Sequence, residues 1–86
     1  MATYRIDFQR SAAKDLRRLA REQLPRILES IDALRREPFP FGSQKLMGAA
    51  YTYRIRVGDY RVIYQVAVPD SILITRIRHR REVYRD

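Results

Sequence analysis

The strongest constraint on how this chain can fold is a run of alternating apolar and polar side chains that is interrupted at Gly58-Asp59. On both sides of this pair, apolar residues occupy every second position: Tyr53, Ile55, Val57, Val62, Tyr64 and Val66. Successive side chains of a strand point to opposite faces, and a Gly-Asp pair between two strands is typical of a tight turn. Residues 51–67 are therefore predicted to form a β-hairpin with one apolar face. The opposite face carries Arg54, Arg56, Arg61 and Gln65.

Two amphipathic helices are predicted before the hairpin. Ser11 is a candidate N-cap for the first helix, whose apolar positions recur at helical spacing as far as Ala20. Pro25 fits the first turn of the second helix, which ends by about Glu37, before two prolines and a glycine. The apolar stripe of the second helix is formed by Leu24, Ile27, Leu28, Ile31 and Leu34.

Two further strands complete the predicted fold. Residues 4–8 alternate in the same way as the hairpin, and residues 72–79 begin as an apolar run after a turn at residues 69–71. A loop is expected up to about Ala50. The chain is thus predicted to be one α+β domain over residues 1–86, in the order β-α-α-β-β-β. Two N-terminal helices pack on a mostly antiparallel four-stranded sheet.

Composition restricts the classes of function. The chain has 18 Lys and Arg against 10 Asp and Glu, a formal net charge of +8. Such a charge favours a polyanionic partner, although a merely soluble basic surface is an alternative. The absence of cysteine excludes disulfides and thiolate chemistry. We see no signal peptide and no membrane-spanning run, and we expect a soluble, cytoplasmic protein.

The arginine face of the hairpin is the best candidate for a functional surface. Guanidinium groups bind phosphate through two parallel hydrogen bonds, so Arg54, Arg56 and Arg61 together suit a nucleic-acid backbone. The alternative is a solvated sheet face, but like charges side by side destabilise a sheet. Further candidate RNA- or phosphate-binding residues are Lys45, Arg76 and Arg78, and candidate catalytic residues just beyond the last strand are His79, Arg80, Arg81 and Tyr84.

Metal and cofactor chemistry is not indicated. His79 is the single histidine, and the carboxylates show no paired ligand spacing, so we expect no metal and no cofactor. His79 could act as a general acid or base, because its usual pKa is near neutrality, or it could be a plain surface histidine. Tyr53 and Tyr64 are predicted to lie in the core. Tyr84 could stack on a base or anchor the tail.

Three motifs resemble the RelE branch of the RelE/ParE toxin superfamily. They are Lys45-Leu46-Met47-Gly48, the run from Tyr53 to Tyr64 that contains Gly58-Asp59-Tyr60-Arg61, and the run Ile77-Arg78-His79-Arg80-Arg81-Glu82-Val83-Tyr84. The resemblance covers nearly the whole chain, because the leading strand and helices also occur where that family has them. It implies a compact, microbial-RNase-like sheet that cuts mRNA in the ribosomal A site without a metal.

The resemblance also implies residue roles. Arg61 matches the arginine that stabilises the phosphate, and Arg80, or Arg81 with a shift of one residue, matches the arginine near the leaving oxygen. Tyr84 matches the tyrosine that stacks on the base. The chain departs from the family at Arg54 and Arg56, where RelE has lysines, and at Arg78, where the family often has glycine. Because arginine stays protonated, His79 becomes the preferred candidate for proton transfer.

The resemblance implies a protein partner as well. Toxins of this family bind a cognate antitoxin, and the +8 charge suits an acidic C-terminal antitoxin segment that covers the basic face, within a possible heterotetramer. Two other functions remain open. One is inhibition of DNA gyrase, as in ParE, although Arg61, Arg80 and Tyr84 weigh against it. The other is an inactive remnant that only binds an antitoxin.

Overall fold

A computed structural model describes residues 3–80 of the chain. Within this range, two helices and five strands follow one another in the order β1, α1, α2, β2, β3, β4, β5. Their bounds are Arg5–Phe8, Arg10–Arg18, Leu24–Ala33, Gln44–Lys45, Thr52–Val57, Tyr60–Ala67 and Ser71–His79. No helix in this part of the chain is long and apolar enough to cross a membrane.

The five strands form one sheet in the spatial order β1-β5-β4-β3-β2. β1 is parallel to β5, and the other neighbours are antiparallel. The predicted α+β arrangement is confirmed, with one addition: the segment predicted as a loop contains the two-residue strand β2, which pairs with β3. A two-residue strand has no room for an alternating pattern, so the sequence does not reveal it.

The core lies between the helices and one face of the sheet. From α2 and its C-cap, Ile27, Ile31 and Leu34 are buried as predicted, whereas Leu28 is exposed. Burying large aliphatic side chains stabilises a domain by roughly 1.5–3 kcal/mol each. The sheet contributes the alternating residues predicted from the hairpin together with β5: Ile55, Val57, Val62, Tyr64, Val66, Ile72, Ile74 and Ile77.

Helix α1 begins earlier than expected. Its N-cap is Gln9, so the prediction that Ser11 caps the helix is wrong. The Ser11 hydroxyl instead donates a hydrogen bond of 2.7 Å to the Thr75 carbonyl on β5. One turn later, the buried Asp15 carboxylate accepts a 2.8 Å hydrogen bond from the Ile77 backbone N–H. Strand β1 ends opposite Ile74, so α1 side chains take over the hydrogen bonding of the β5 edge.

Tyr53 and Tyr64 belong to the apolar face, as predicted. Tyr64 is fully buried, and its hydroxyl donates a 2.8 Å hydrogen bond to the Pro38 carbonyl. The Tyr53 ring stacks on Tyr64 at 6.1 Å and meets the edge of Phe39 at 4.9 Å. Burial raises the pKa of Tyr64 to about 12. This aromatic cluster attaches the segment after α2 to the hairpin.

We expect Tyr64→Phe to lower the free energy of unfolding by about 1 kcal/mol near neutral pH, because the buried Pro38 carbonyl loses its donor. As the pH rises, the unfolded chain loses the Tyr64 proton near the ordinary pKa of about 10, which is a lower pH than in the folded protein. The wild type should therefore lose stability as the pH rises from 10.0 towards about 12. Tyr64→Phe has no hydroxyl at this position to titrate. The difference in free energy of unfolding between the wild type and the variant should therefore shrink over this pH range.

Urea denaturation at a series of alkaline pH values measures the difference between the two proteins. Tyr51→Phe is the matched control, because it removes the same hydroxyl from a side chain that is exposed. A Tyr64→Phe deficit that stays constant up to pH 12 would contradict the raised pKa of Tyr64 in the folded protein.

Candidate functional site

The turn between β3 and β4 sets the geometry of the arginine face. Gly58 has a φ of +61°, and Asp59 is not among the residues with positive φ. A positive φ at the first central residue only is the pattern of a type II′ turn, which matches the twist of the flanking strands. Val57 then pairs with Tyr60, and Arg56 lies directly opposite Arg61. A shift of register by one residue would send one of these arginines to the other face.

Three arginines form a row across the sheet. Arg61 on β4 pairs with Arg56 on β3 and with Arg78 on β5, so their side chains share the face opposite the helices. We call this set the arginine row. Arg61, in the middle, is only 8% exposed, whereas Arg56 is exposed. The predicted convergence of Arg56 and Arg61 therefore holds in the structure, and Arg78 joins them.

A cavity of about 230 Å³ lies beside this row at the end of the hairpin. Arg80 reaches it because its backbone N–H donates a 2.7 Å hydrogen bond to the Asp59 carbonyl. The Arg80 guanidinium also lies 3.9 Å from the Asp59 carboxylate. Three arginines and one aspartate leave the lining with a formal charge of +2. We call it the arginine cavity; its lining residues are Arg56, Gly58, Asp59, Tyr60, Arg61 and Arg80.

Three other predicted phosphate-binding residues lie outside the cavity. Arg54 shares the arginine face, but its guanidinium donates to the Gln44 side chain. Lys45 pairs with Tyr53, and its side chain therefore points to the other face of the sheet. Arg76 is bound at 3.0 Å by the Asp15 carboxylate.

His79 does not lie on the arginine face. It pairs with Tyr60, next to the Arg61–Arg78 pair, and adjacent pairs of a strand ladder point to opposite faces. Its ring meets the Tyr60 ring edge-on, with centroids 5.2 Å apart. Tyr60 shares this face with His79, so the sheet itself lies between His79 and the arginine row, and His79 is not brought to the phosphate position predicted beside Arg61.

Tyr60 and Asp59 were not predicted as site residues, although both line the cavity. Their position directly after Gly58 in the hairpin turn is the signal that could have identified them. The predicted catalytic residues Arg81 and Tyr84 lie outside the described residues. Between residues 3 and 80, no group of three His, Cys, Asp or Glu side chains could hold a metal ion.

Comparison with known proteins adds a family relationship. Residues 6–84 match the sequence model of the ParE toxin of the type II toxin-antitoxin system parDE. The chain is 34% identical to RelE1, a candidate toxin of Methanocaldococcus jannaschii, over 92% of this chain and 91% of that protein. It is 31% identical to the toxin RelG of Mycobacterium tuberculosis, over 95% of this chain and 97% of that protein.

The fold is also similar to solved structures. The archaeal RelE–RelB complex from Pyrococcus horikoshii OT3 contains a chain with a TM-score of 0.78 and 39% sequence identity. The alignment covers 91% of this chain and 96% of that one. The similarity extends over the helices and the sheet alike.

Proposed function

The chain belongs to the RelE/ParE superfamily of type II toxin-antitoxin toxins, and from this premise we propose that it is a ribosome-dependent endoribonuclease that cleaves mRNA and so inhibits translation. The resemblance of its motifs to that superfamily is confirmed by the match over residues 6–84. The similar proteins named RelE and RelG favour the RelE branch.

The arginine row is the observation that supports cleavage of a phosphodiester. It places like charges on neighbouring strands, an arrangement that lowers the stability of a sheet. An RNA phosphate in the arginine cavity would bring negative charge against this basic surface. The nearly buried Arg61 presents its guanidinium where solvent screening is weak, which strengthens its interaction with an anion.

In the proposed reaction, a ribose 2′-hydroxyl attacks the adjacent phosphorus. A bond from the 2′-oxygen to phosphorus forms, and the bond from phosphorus to the 5′-oxygen of the next nucleotide breaks. Negative charge accumulates on the phosphoryl oxygens in the transition state, and Arg56 and Arg61 stabilise it. Arg80, which lines the same cavity, is assigned the contact with the leaving oxygen. The guanidinium groups provide the positive charge, so the proposal needs no metal ion.

The mechanism also requires two proton transfers. The attacking hydroxyl must lose a proton, and the leaving oxygen must gain one. The sequence makes His79 the candidate for this role, but its position on the sheet face opposite Arg61 argues against direct contact with the phosphate. The cleavage rate of His79→Ala tests it, and an unaltered rate would remove His79 from the mechanism. Base stacking by Tyr84 and a contribution of Arg81 are proposals from the resemblance.

We further propose that a cognate antitoxin inhibits this toxin. The similar structure from Pyrococcus horikoshii OT3 is a RelE–RelB complex. An acidic antitoxin segment would meet the arginine row with opposite charge, which speeds association and orients the partner. Covering this row would also exclude RNA from the arginine cavity.

Inhibition of DNA gyrase is the second candidate function, because the matching family model is that of ParE. The arginine cavity distinguishes the two functions, since a protein that only binds gyrase does not need a phosphate site. Gyrase supercoiling of plasmid DNA in the presence of the purified protein measures the alternative.

The direct test uses purified protein, programmed ribosomes and a defined mRNA, with the cut ends mapped by primer extension. We expect cleavage within the A-site codon and intact mRNA when ribosomes are omitted. A 2′-deoxy substitution at the cut nucleotide should abolish cleavage, because it removes the attacking hydroxyl. Intact mRNA on ribosomes, together with inhibited supercoiling, would replace the proposal by the gyrase function.

A further inference from the structure

The last turn of α1 and the part of the β5 edge that β1 does not cover border a second cavity. Strand β1 pairs with β5 only as far as Ile74, whereas β5 continues to His79. Along this remaining edge, Asp15 of α1 binds the Ile77 N–H. The following turn of the helix brings Arg18 over the end of the strand, where it borders a space of about 270 Å³. We call this space the β5-edge cavity.

The lining of this cavity is basic. Arg18, Arg76 and Arg78 contribute three positive charges, and Asp15 contributes one negative charge, which leaves a formal +2. Asp15 holds the Arg76 guanidinium through contacts of 3.0 and 3.4 Å to Nε and Nη2. An arginine that is already fixed loses less conformational entropy when it binds an anion. The cavity is therefore suited to a compact anion such as a phosphate group.

The two basic cavities are neighbours. Tyr60 lines both of them, so the arginine cavity and the β5-edge cavity meet at this residue, next to the end of the hairpin. The Tyr60 ring meets the His79 ring edge-on, and His79 also lines the β5-edge cavity. A partly exposed tyrosine that borders two basic cavities has the chemistry of a single-stranded nucleic-acid site, in which bases contact aromatic rings and arginines follow the backbone.

We infer that the β5-edge cavity is a second phosphate-binding site for the same RNA strand whose reactive phosphate lies in the arginine cavity, with Tyr60 contacting the nucleotide between them. This inference rests on the proposed RNA-cleaving function. It assigns a binding role to Arg18 and Tyr60, neither of which the sequence pattern singled out. Because the two cavities have Tyr60 in common, RNA fits them better than an acidic protein segment does: a nucleic-acid strand carries phosphates at regular intervals along one continuous path.

The test compares Arg18→Ala with Arg17→Ala. Both arginines are exposed in the last turn of α1, so each substitution removes the same charge from the same helix end, but only Arg18 lines the cavity. Binding of a short fluorescent 2′-O-methyl RNA, which cannot be cleaved, is measured by anisotropy over a range of salt concentrations. We expect Arg18→Ala to weaken binding severalfold and to reduce the slope of log K against log salt by about 0.7, the value for one lost phosphate contact on a single strand. Arg17→Ala should leave the slope unchanged.

Each outcome separates this inference from the proposed function. Equal effects of the two substitutions, no effect of either, or no RNA binding by the wild type would overturn the second site. Ribosomal cleavage that depends on Arg61 would still support the function in those cases. If Arg18→Ala alone changes RNA binding while ribosomal cleavage is absent in the wild type, the second site stands and the nuclease proposal fails. If Arg18→Ala weakens only the binding of an acidic antitoxin peptide, the cavity belongs to a protein partner and the inference is wrong.

Discussion

Replacing Arg61 by alanine is expected to lower the rate of ribosome-dependent mRNA cleavage by about a hundred- to a thousandfold, the usual effect of removing one main donor to a developing anionic charge. Arg61 occupies the middle of the arginine row and is nearly buried. It is the member of the row that is paired on both sides, with Arg56 on β3 and with Arg78 on β5. Single-turnover cleavage on programmed ribosomes measures the loss directly.

Two further variants make this result specific. Arg61→Lys keeps the charge but loses the planar fork, so an intermediate rate is expected if bidentate phosphate binding matters. Arg36→Ala removes one charge from an exposed position after α2 and should cleave at the wild-type rate. Thermal unfolding of the Arg61 variants checks that they remain folded. Wild-type cleavage by folded Arg61→Ala would eliminate the row as the centre of the reaction.

The largest expected effect on stability follows from Asp15→Ala. The substitution leaves the buried Ile77 N–H without its acceptor and removes the carboxylate that binds Arg76. Loss of a buried charged acceptor costs several kcal/mol, but the Arg76 side chain is 42% exposed and regains water, so we expect a loss of about 2–3 kcal/mol. In a domain of this size, that corresponds to a fall in Tm of roughly 10–20 °C.

Asp32→Ala is the matched control for this prediction. Asp32 is also a helical aspartate with an arginine partner, Arg35, but the pair is 3.7 Å apart and exposed. Exposed pairs contribute at most about 1 kcal/mol, and both substitutions gain the same helix propensity of alanine. Differential scanning calorimetry of the two variants should therefore show a large difference. Similar Tm values would mean that α1 does not stabilise the β5 edge.

The hairpin and its arginine face were predictable because local rules determine them. Alternation assigns the faces, and a two-residue turn at Gly58-Asp59 fixes the register that pairs Arg56 with Arg61. The apolar faces of the helices follow in the same way. These features need no information from distant parts of the chain.

The features that were missed depend on contacts between distant segments. The ladder between β4 and β5 contains an irregularity next to Ile63 and Tyr64, where Ile63 pairs with Arg76 and Tyr64 pairs with Ile74. Thr75 is therefore an extra residue of β5 with no partner on β4 in the ladder. Beyond it, the side chains of β5 alternate between the two faces in the opposite sense. Continuing the alternation of Ile72 and Ile74 past this point puts His79 with the arginines, whereas the structure puts Arg78 there. The burial of Asp15 likewise depends on where β1 ends, which the helix sequence cannot indicate.

The parallel pairing of β1 with β5 has a consequence for the order of folding. Strand β1 is made first, yet its partner, residues 71–74, comes more than sixty positions later, so the intervening loop must close at an entropic cost before the pairing forms. The arginine row has the same requirement, because Arg78 is added only with β5. During synthesis, the emerging chain therefore has neither a finished sheet nor a finished basic surface until β5 has left the exit tunnel. If the protein has the proposed function, the nascent chain is therefore inactive towards the ribosome that is making it.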